Sequence, residues 1–162
     1  TNTEINLEID AFLPSDYISD QRQKIEIYKR IREIESRTYY QDLQDELIDR
    51  FGEYPDTVAY LLEIGLLKYF SDQALVDKID KQLTTIVYMM SKAATHTFMP
   101  QDYFDALSKT QLKAKIGETS GQMVIRFDIR NLSAATYLSE IISFTERLSA
   151  IRDEKTNEKT GN

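Results

Sequence analysis

Few residues in this chain have the types and spacing for chemistry. Asp42, Asp45, Glu46 and Asp49 fall at i, i+3, i+4 and i+7. On a helix that spacing sets four carboxylates in one stripe about two turns long, opposite the apolar positions of the same segment. Three kinds of chemistry use such groups. A hard cation needs oxygens converging from more than one element, and one helix face cannot close that shell. Glycoside hydrolysis needs two carboxyls facing each other across a cleft. Docking needs only an outward row of charge and a partner with arginines to form charge-assisted hydrogen bonds. A plain solvated helix face has the same pattern. Arg50, four residues after Glu46, is placed either to pair locally or to reach outward.

Other chemistry is sparse. The chain has one histidine, His96, and no cysteine. That composition excludes a thiolate nucleophile, a Cys–His dyad and a multi-histidine zinc site. His96 sits in the polar run 91–97, which reads as an exposed loop, and no nucleophile-elbow motif accompanies it. None of the five glycines belongs to a phosphate-binding loop; Gly117 and Gly121 have the spacing of a hairpin and no lysine follows. Lys113, Lys115, Arg126 and Arg130 lie at alternating positions and could share one polar sheet face. That strip reads as a weak nucleic-acid or protein-binding surface, or as a solvated face. The tyrosines are not arranged as a base-stacking platform.

The elements that must position these groups follow from periodicity. Ile5, Leu7 and Ile9 alternate with polar residues, which predicts a short strand. Pro14 predicts a turn. Asp20 with Gln23 opens a first helix bearing Ile27, Ile31 and Ile34, with Glu26–Arg30 and Glu33–Arg37 as i,i+4 pairs. Thr38 with Gln41 predicts a second helix over 39–51, its apolar face Tyr40, Leu43, Leu47, Ile48 and Phe51, stopped by Gly52. Pro55 starts a third, over about 56–71, apolar nearly all round and therefore central. Gly65 in its middle costs about 1 kcal/mol against Ala, which a close helix crossing would explain.

After Asp72 the pattern changes to strands over 75–80 and 83–90, a short helix from Pro100, and strands over 112–116 and 123–129. A last helix follows Ser133, with Tyr137, Ile141, Phe144, Leu148 and Ile151 as one apolar seam. A shift of 37 residues pairs Leu75 with Leu112, Ile79 with Ile116, Ile86 with Met123, Met90 with Phe127 and Phe104 with Ile141. This suggests a strand–strand–helix unit used twice. The fold class is α+β: an N-terminal helical part of three helices plus a short strand, followed by two such units on an antiparallel sheet. One domain spans 1–152, mainly helical over 1–72 and mixed over 73–152, and the polar tail 153–162 reads as disordered.

Net charge is −7, unevenly spread. Residues 1–74 carry 16 acids and 8 bases, and residues 75–162 carry 11 and 12. The acidic first half disfavours a nucleic-acid surface there and suits a basic protein partner. No apolar run approaches the roughly 20 residues of a membrane helix. The chain begins at Thr1 and enters strand-like sequence at once, as a fragment of a longer, multidomain protein would.

Three segments, with their order and spacing, resemble a known family. They are Asp10-Ala11-Phe12-Leu13-Pro14-Ser15-Asp16-Tyr17-Ile18, Gln23-Lys24-Ile25-Glu26-Ile27-Tyr28-Lys29-Arg30-Ile31 and Asp45-Glu46-Leu47-Ile48-Asp49-Arg50-Phe51-Gly52. Over about residues 5–70 the chain is similar to the C-terminal domain of bacterial transcription-repair coupling factors; beyond that the similarity is one of pattern. The resemblance implies a non-catalytic, autoinhibitory domain in a cytoplasmic DNA translocase whose ATP- and magnesium-dependent motor lies in other domains. It implies folding onto an N-terminal excinuclease-B-like module, masking the surface that binds the excinuclease-A component, with that component, RNA polymerase and DNA as indirect partners. In the family the acid, acid and base matching Glu46, Asp49 and Arg50 lie at that interdomain contact; Asp42 and Asp45 extend the set by helix geometry. The alternatives are a docking platform for an external partner and a weak DNA-binding domain. No cofactor, metal or membrane is expected for this domain.

Overall fold

The computed structural model describes residues 2–160. In chain order the elements are β1 (Glu4–Asn6), α1 (Gln21–Arg32), α2 (Arg37–Phe51), α3 (Asp56–Gln73), β2 (Val76–Lys81), β3 (Thr85–Met90), α4 (Lys92–Thr97), α5 (Pro100–Leu107), β4 (Ala114–Thr119), β5 (Gln122–Asp128) and α6 (Ala134–Thr160). Helices come first and a sheet with helices second, so the α+β class holds. Ile9–Tyr69 forms one compact unit, and the described residues on either side of it form another. β1 therefore belongs with the sheet and not with the helical part to which its sequence position assigns it.

The helical unit is built on three starts and one close crossing. Asp20 Oδ1 accepts from the amides of Arg22 and Gln23 at 2.8 and 3.2 Å, capping α1. Ser36, not Thr38, caps α2: its Oγ accepts from the Tyr39 amide at 2.9 Å from an extended backbone. The helix accordingly starts at Arg37 and not at 39, because a hydroxyl on the last extended residue satisfies an orphan amide that Thr38 would leave open. Pro55 accepts the first bonds of α3 from Val58 and Ala59. At Gly65 an added Cβ would lie 2.9 Å from Ile31 Cγ2 and 3.2 Å from the Ile31 carbonyl. That close crossing of α3 on α1 is the reason a mid-helix glycine is kept. Ile27, Ile31, Ile34, Leu43, Leu47, Val58 and Leu62 are buried. Ile48 is not part of this core: it is 46% exposed, since one residue of helix turns it about 100° from Leu47.

In the other unit five strands order as β1-β2-β3-β5-β4, antiparallel from β2 to β4, with β1 added parallel to β2 at one edge. One face packs on α6 through Tyr88, Phe127 and Phe144, whose ring centroids are 5.0–5.5 Å apart in edge-on contacts. The Tyr88 hydroxyl lies 2.7 Å from Thr145 Oγ1, which donates to the Ile141 carbonyl at 2.6 Å, so the buried polar tip is satisfied. The seam Tyr137, Ile141, Phe144, Leu148 and Ile151 is buried throughout.

The strand register obeys the 37-residue shift. Ile79 pairs with Tyr88 in the first hairpin and Ile116 with Ile125 in the second. Tyr88 and Ile125, themselves 37 apart, face each other across the centre. Both turns have two residues, between Gln82 and Thr85 and between Thr119 and Gln122. The second, Ser120-Gly121, has φ of 52° and 81°, the pattern of a type I′ turn. A local two-fold axis therefore runs through the sheet between Tyr88 and Ile125. The helices do not follow the same shift: Phe104 is exposed while Ile141 is buried, and Tyr103 occupies the inward place.

Three further expectations change. Leu83, expected in a strand, is a turn residue and 96% exposed. The run 91–97 contains a short helix, α4, anchored by buried Ala94. Over its described part the tail is helical, not disordered: α6 continues to Thr160. Lys155 Nζ reaches Asp102 of α5 at 3.0 Å, and Glu154 pairs with Arg147 at 2.9 Å. Glu154, Lys155, Glu158 and Lys159 favour extending a helix already nucleated by a packed seam, over the poorer helix formers between them. Residues 161 and 162 lie outside the described residues.

Candidate functional site: a charged helix face

The acidic stripe lies on α2, and its members have separate roles. Glu46 turns toward α1. Its Oε2 accepts from Arg30 Nη1 and, at 2.8 Å, from Arg50 Nη1. Arg50 Nη1 also reaches Glu26 Oε1 at 3.2 Å, and its guanidinium stands 4.9 Å from the Phe51 ring centroid. The result is a clamp of alternating charge, Arg30–Glu46–Arg50–Glu26, joining α1 to α2. The Arg30 hydrogen bond, then that of Arg50, holds the Glu46 carboxyl below its usual range, and the arginines are raised in turn. Arg30 thus bonds across the helix pair to Glu46, and Glu33 meets Lys29 at 3.9 Å.

Asp42, Asp45 and Asp49 remain on the outside of α2, exposed, and enter no ion pair among the described residues. Ile48 stands exposed beside this row. The face is therefore a line of three carboxylates, with an apolar side chain on one flank and the clamp on the other.

The end of α2 fixes where this face stops. Gly52 has φ 86° and ψ −176°, a region essentially restricted to glycine. Its amide donates to the Ile48 carbonyl at 2.9 Å. The Tyr17 hydroxyl meets the Leu47 and Gly52 carbonyls at 3.2 and 2.8 Å, supplying a donor to the helix end. The Pro14 carbonyl accepts from the amides of Tyr17 and Ile18, and the resulting turn delivers Tyr17 to that place.

The second candidate strip is also assembled. Lys113, Lys115, Arg126 and Arg130 line one cleft of about 350 Å³ with Thr84, Thr85, Ala114 and Asp128. Lys115 and Arg126 are directly opposed across β4 and β5. His96 lines a polar cleft with Arg152, Lys155, Glu158 and Lys159 of α6. Among the described residues no group of three or more His, Cys, Asp or Glu is placed to hold a metal ion, and no helix is long and apolar enough to cross a membrane.

Comparison with known proteins gives this geometry a family. The family model described as TRCF domain matches residues 7–101. The chain belongs to the TRCF domain family. The transcription-repair-coupling factor of Bacillus subtilis strain 168 is 30% identical over 94% of the chain, and that of Staphylococcus aureus strain USA300 is 33% identical over 90%. In each case the match covers 13% of the relative, so the chain corresponds to a small part of those proteins' length. A crystal structure of a C-terminal domain of transcription-repair coupling factor superposes with a TM-score of 0.91 at 50% identity, covering 95% of this chain and 96% of that one. The similarity thus extends well past residue 70, through the sheet and α6.

Proposed function

We propose that this chain is a non-catalytic regulatory domain of a bacterial, cytoplasmic transcription-repair coupling factor. It folds onto the N-terminal excinuclease-B-like module of the same protein and covers the surface that the excinuclease-A component would use. Engagement with stalled RNA polymerase on DNA releases it, and the ATP- and magnesium-dependent motor resides elsewhere in the longer protein. The observation that carries this reading is the row Asp42, Asp45 and Asp49, exposed and without ion pairs among the described residues, flanked by exposed Ile48 on one side and by the Glu46–Arg50 clamp on the other. A solvated face needs neither an exposed isoleucine on one flank nor a clamp on the other; an apolar anchor beside a charged row is what an interface uses. Among Glu46, Asp49 and Arg50 the labour is divided. Asp49 meets the partner, with Asp42 and Asp45, while Glu46 and Arg50 set the direction of the face.

A coupling of about 1–3 kcal/mol between the two modules shifts the closed–open balance by roughly 5- to 150-fold, enough for a switch. The test is a titration of the isolated N-terminal module with this chain. Asp49→Lys with Asp45→Lys weakens binding by a factor of ten or more, and Ile48→Ala weakens it comparably. Unchanged affinity in the double reversal would reduce the face to solvated surface.

A further inference from the structure

The local two-fold symmetry of the sheet leaves one place filled and its equivalent open. At one edge β1 pairs with β2 in parallel, Glu4 opposite Lys78, Ile5 opposite Ile79 and Asn6 opposite Asp80. Lys78 holds the added strand through Glu4, Nζ to Oε2 at 3.4 Å. The 37-residue shift carries Lys78 to Lys115, Ile79 to Ile116 and β2 to β4. β4 is the opposite edge, and among the described residues no strand pairs with its outer side. The antiparallel ladder with β5 fixes which groups point there. Thr119, Gly117 and Lys115 bond inward to β5, so the amides and carbonyls of Ala114, Ile116 and Glu118 point outward.

We propose that the outer edge of β4 is a strand-docking site that takes, in parallel, an extended acidic segment supplied by another protein. Three observations select this occupant. Lys115 repeats the position of Lys78, which bridges Asp80 of its own strand at 3.3 Å and Glu4 of the added strand at 3.4 Å; Gly117 stands where Asp80 does, so Lys115 has no such acid on its own strand. Lys113, Arg126 and Arg130 surround it in the same cleft, four cations against the single carboxylate of Asp128, and none of the four basic side chains enters an ion pair among the described residues. Ile116 is only partly buried where its equivalent Ile79, covered by β1, is fully buried. The segment this edge fits therefore reads acid–apolar–polar, as Glu4-Ile5-Asn6 does. A second copy pairing edge to edge would bring two such basic strips together, which like-charge repulsion opposes.

The experiment uses the whole chain and a synthetic peptide with the sequence of residues 1–10, followed by amide chemical shifts and by anisotropy of a labelled peptide. The expected result is saturable shifts and slowed amide exchange at Ala114, Ile116 and Glu118. Lys115→Glu should weaken binding about tenfold, and a peptide with lysine at the Glu4 position should restore it. Four results would overturn the proposal. The first is no binding. The second is shifts confined to 76–81, where the peptide merely exchanges with β1. The third is affinity indifferent to Lys115→Glu, which leaves the lysines as guards of a bare edge. The fourth is salt-steep binding of duplex DNA by the same strip with no peptide binding.

Discussion

Replacing Glu46 by glutamine should separate the clamp from the face it supports. Glutamine keeps the shape of Glu46 but removes its charge from between Arg30 and Arg50. A hydrogen bond to a charged group contributes about 1.5–3 kcal/mol when well desolvated. Here the side chains of Arg30, Glu46 and Arg50 are 29%, 34% and 31% exposed, so solvent screening brings the whole set down to about 1 kcal/mol. In a chain of this size that shifts Tm by roughly 2–4 °C. Because the folded-state pKa of Glu46 is depressed, its contribution is fully present above the ordinary carboxylate value of 4.5 and is lost as pH falls through the lowered one. Wild type should therefore exceed Glu46→Gln in urea denaturation followed by helical circular dichroism at pH 7, and the gap should close in more acidic buffer. Asp49→Asn, on the outer row, should leave stability at pH 7 unchanged. Equal stability of wild type and Glu46→Gln at pH 7, a gap that survives at strongly acid pH, or an equal loss in Asp49→Asn would refute the reasoning.

Four other outcomes follow. Gly52→Ala should destabilise by about 1–3 kcal/mol, because its φ and ψ lie where a Cβ is strained even though space is open; thermal unfolding reads it. Gly65→Ala should also lose stability, about 1 kcal/mol net, since the overpacking against Ile31 outweighs the gain in helix propensity; Gly65→Ala with Ile31→Val should recover part of it. Burial raises the Glu63 carboxyl, whose Oε2 has no hydrogen-bond partner. Its charged form thus weighs against folding as pH rises above 4.5, and Glu63→Gln should stabilise by up to about 1 kcal/mol at neutral pH and not in acid. Asp45→Lys with Asp49→Lys should weaken docking in trans without moving Tm, and a fall in both together would assign these residues to the fold.

Much of this was legible because it depends on neighbours in sequence. The Asp20 cap, the Gly52 stop, the α6 seam and the alternation of β5 are local patterns, and each is where its pattern puts it. The reason for Gly65 was also readable, because a costly residue in a helix implies a close neighbour. Other features depend on pairs far apart. Nothing in the stripe itself distinguishes Glu46 from Asp49; only the approach of α1, 16 residues earlier for Arg30, turns one inward. Ile48 reads as core by type, and its exposure follows from where the neighbouring helix lies. The tail reads as disordered by polarity, yet Asp102, 53 residues away in sequence, gives Lys155 a partner. The repeat was visible as a shift of apolar positions, but only the strand register distinguishes it from coincidence.

β1 is three residues long and joins its sheet across a separation of about 74 residues, with the whole helical unit Ile9–Tyr69 strung between β1 and β2. During synthesis the first strand therefore emerges long before its mate exists and has nothing to pair with. Closing an unstructured loop of that length costs on the order of 4 kcal/mol in chain entropy, more than so short a ladder returns. The helical unit, made of consecutive residues, closes shorter loops, such as those from Tyr17 to Gly52 and from Phe12 to Thr57, and is free to form first. The order expected from these loop lengths is the helical unit first and β1 last. In pulse-labelled exchange this order would appear as late protection at Ile5 and Ile79, after the helices and both hairpins are closed.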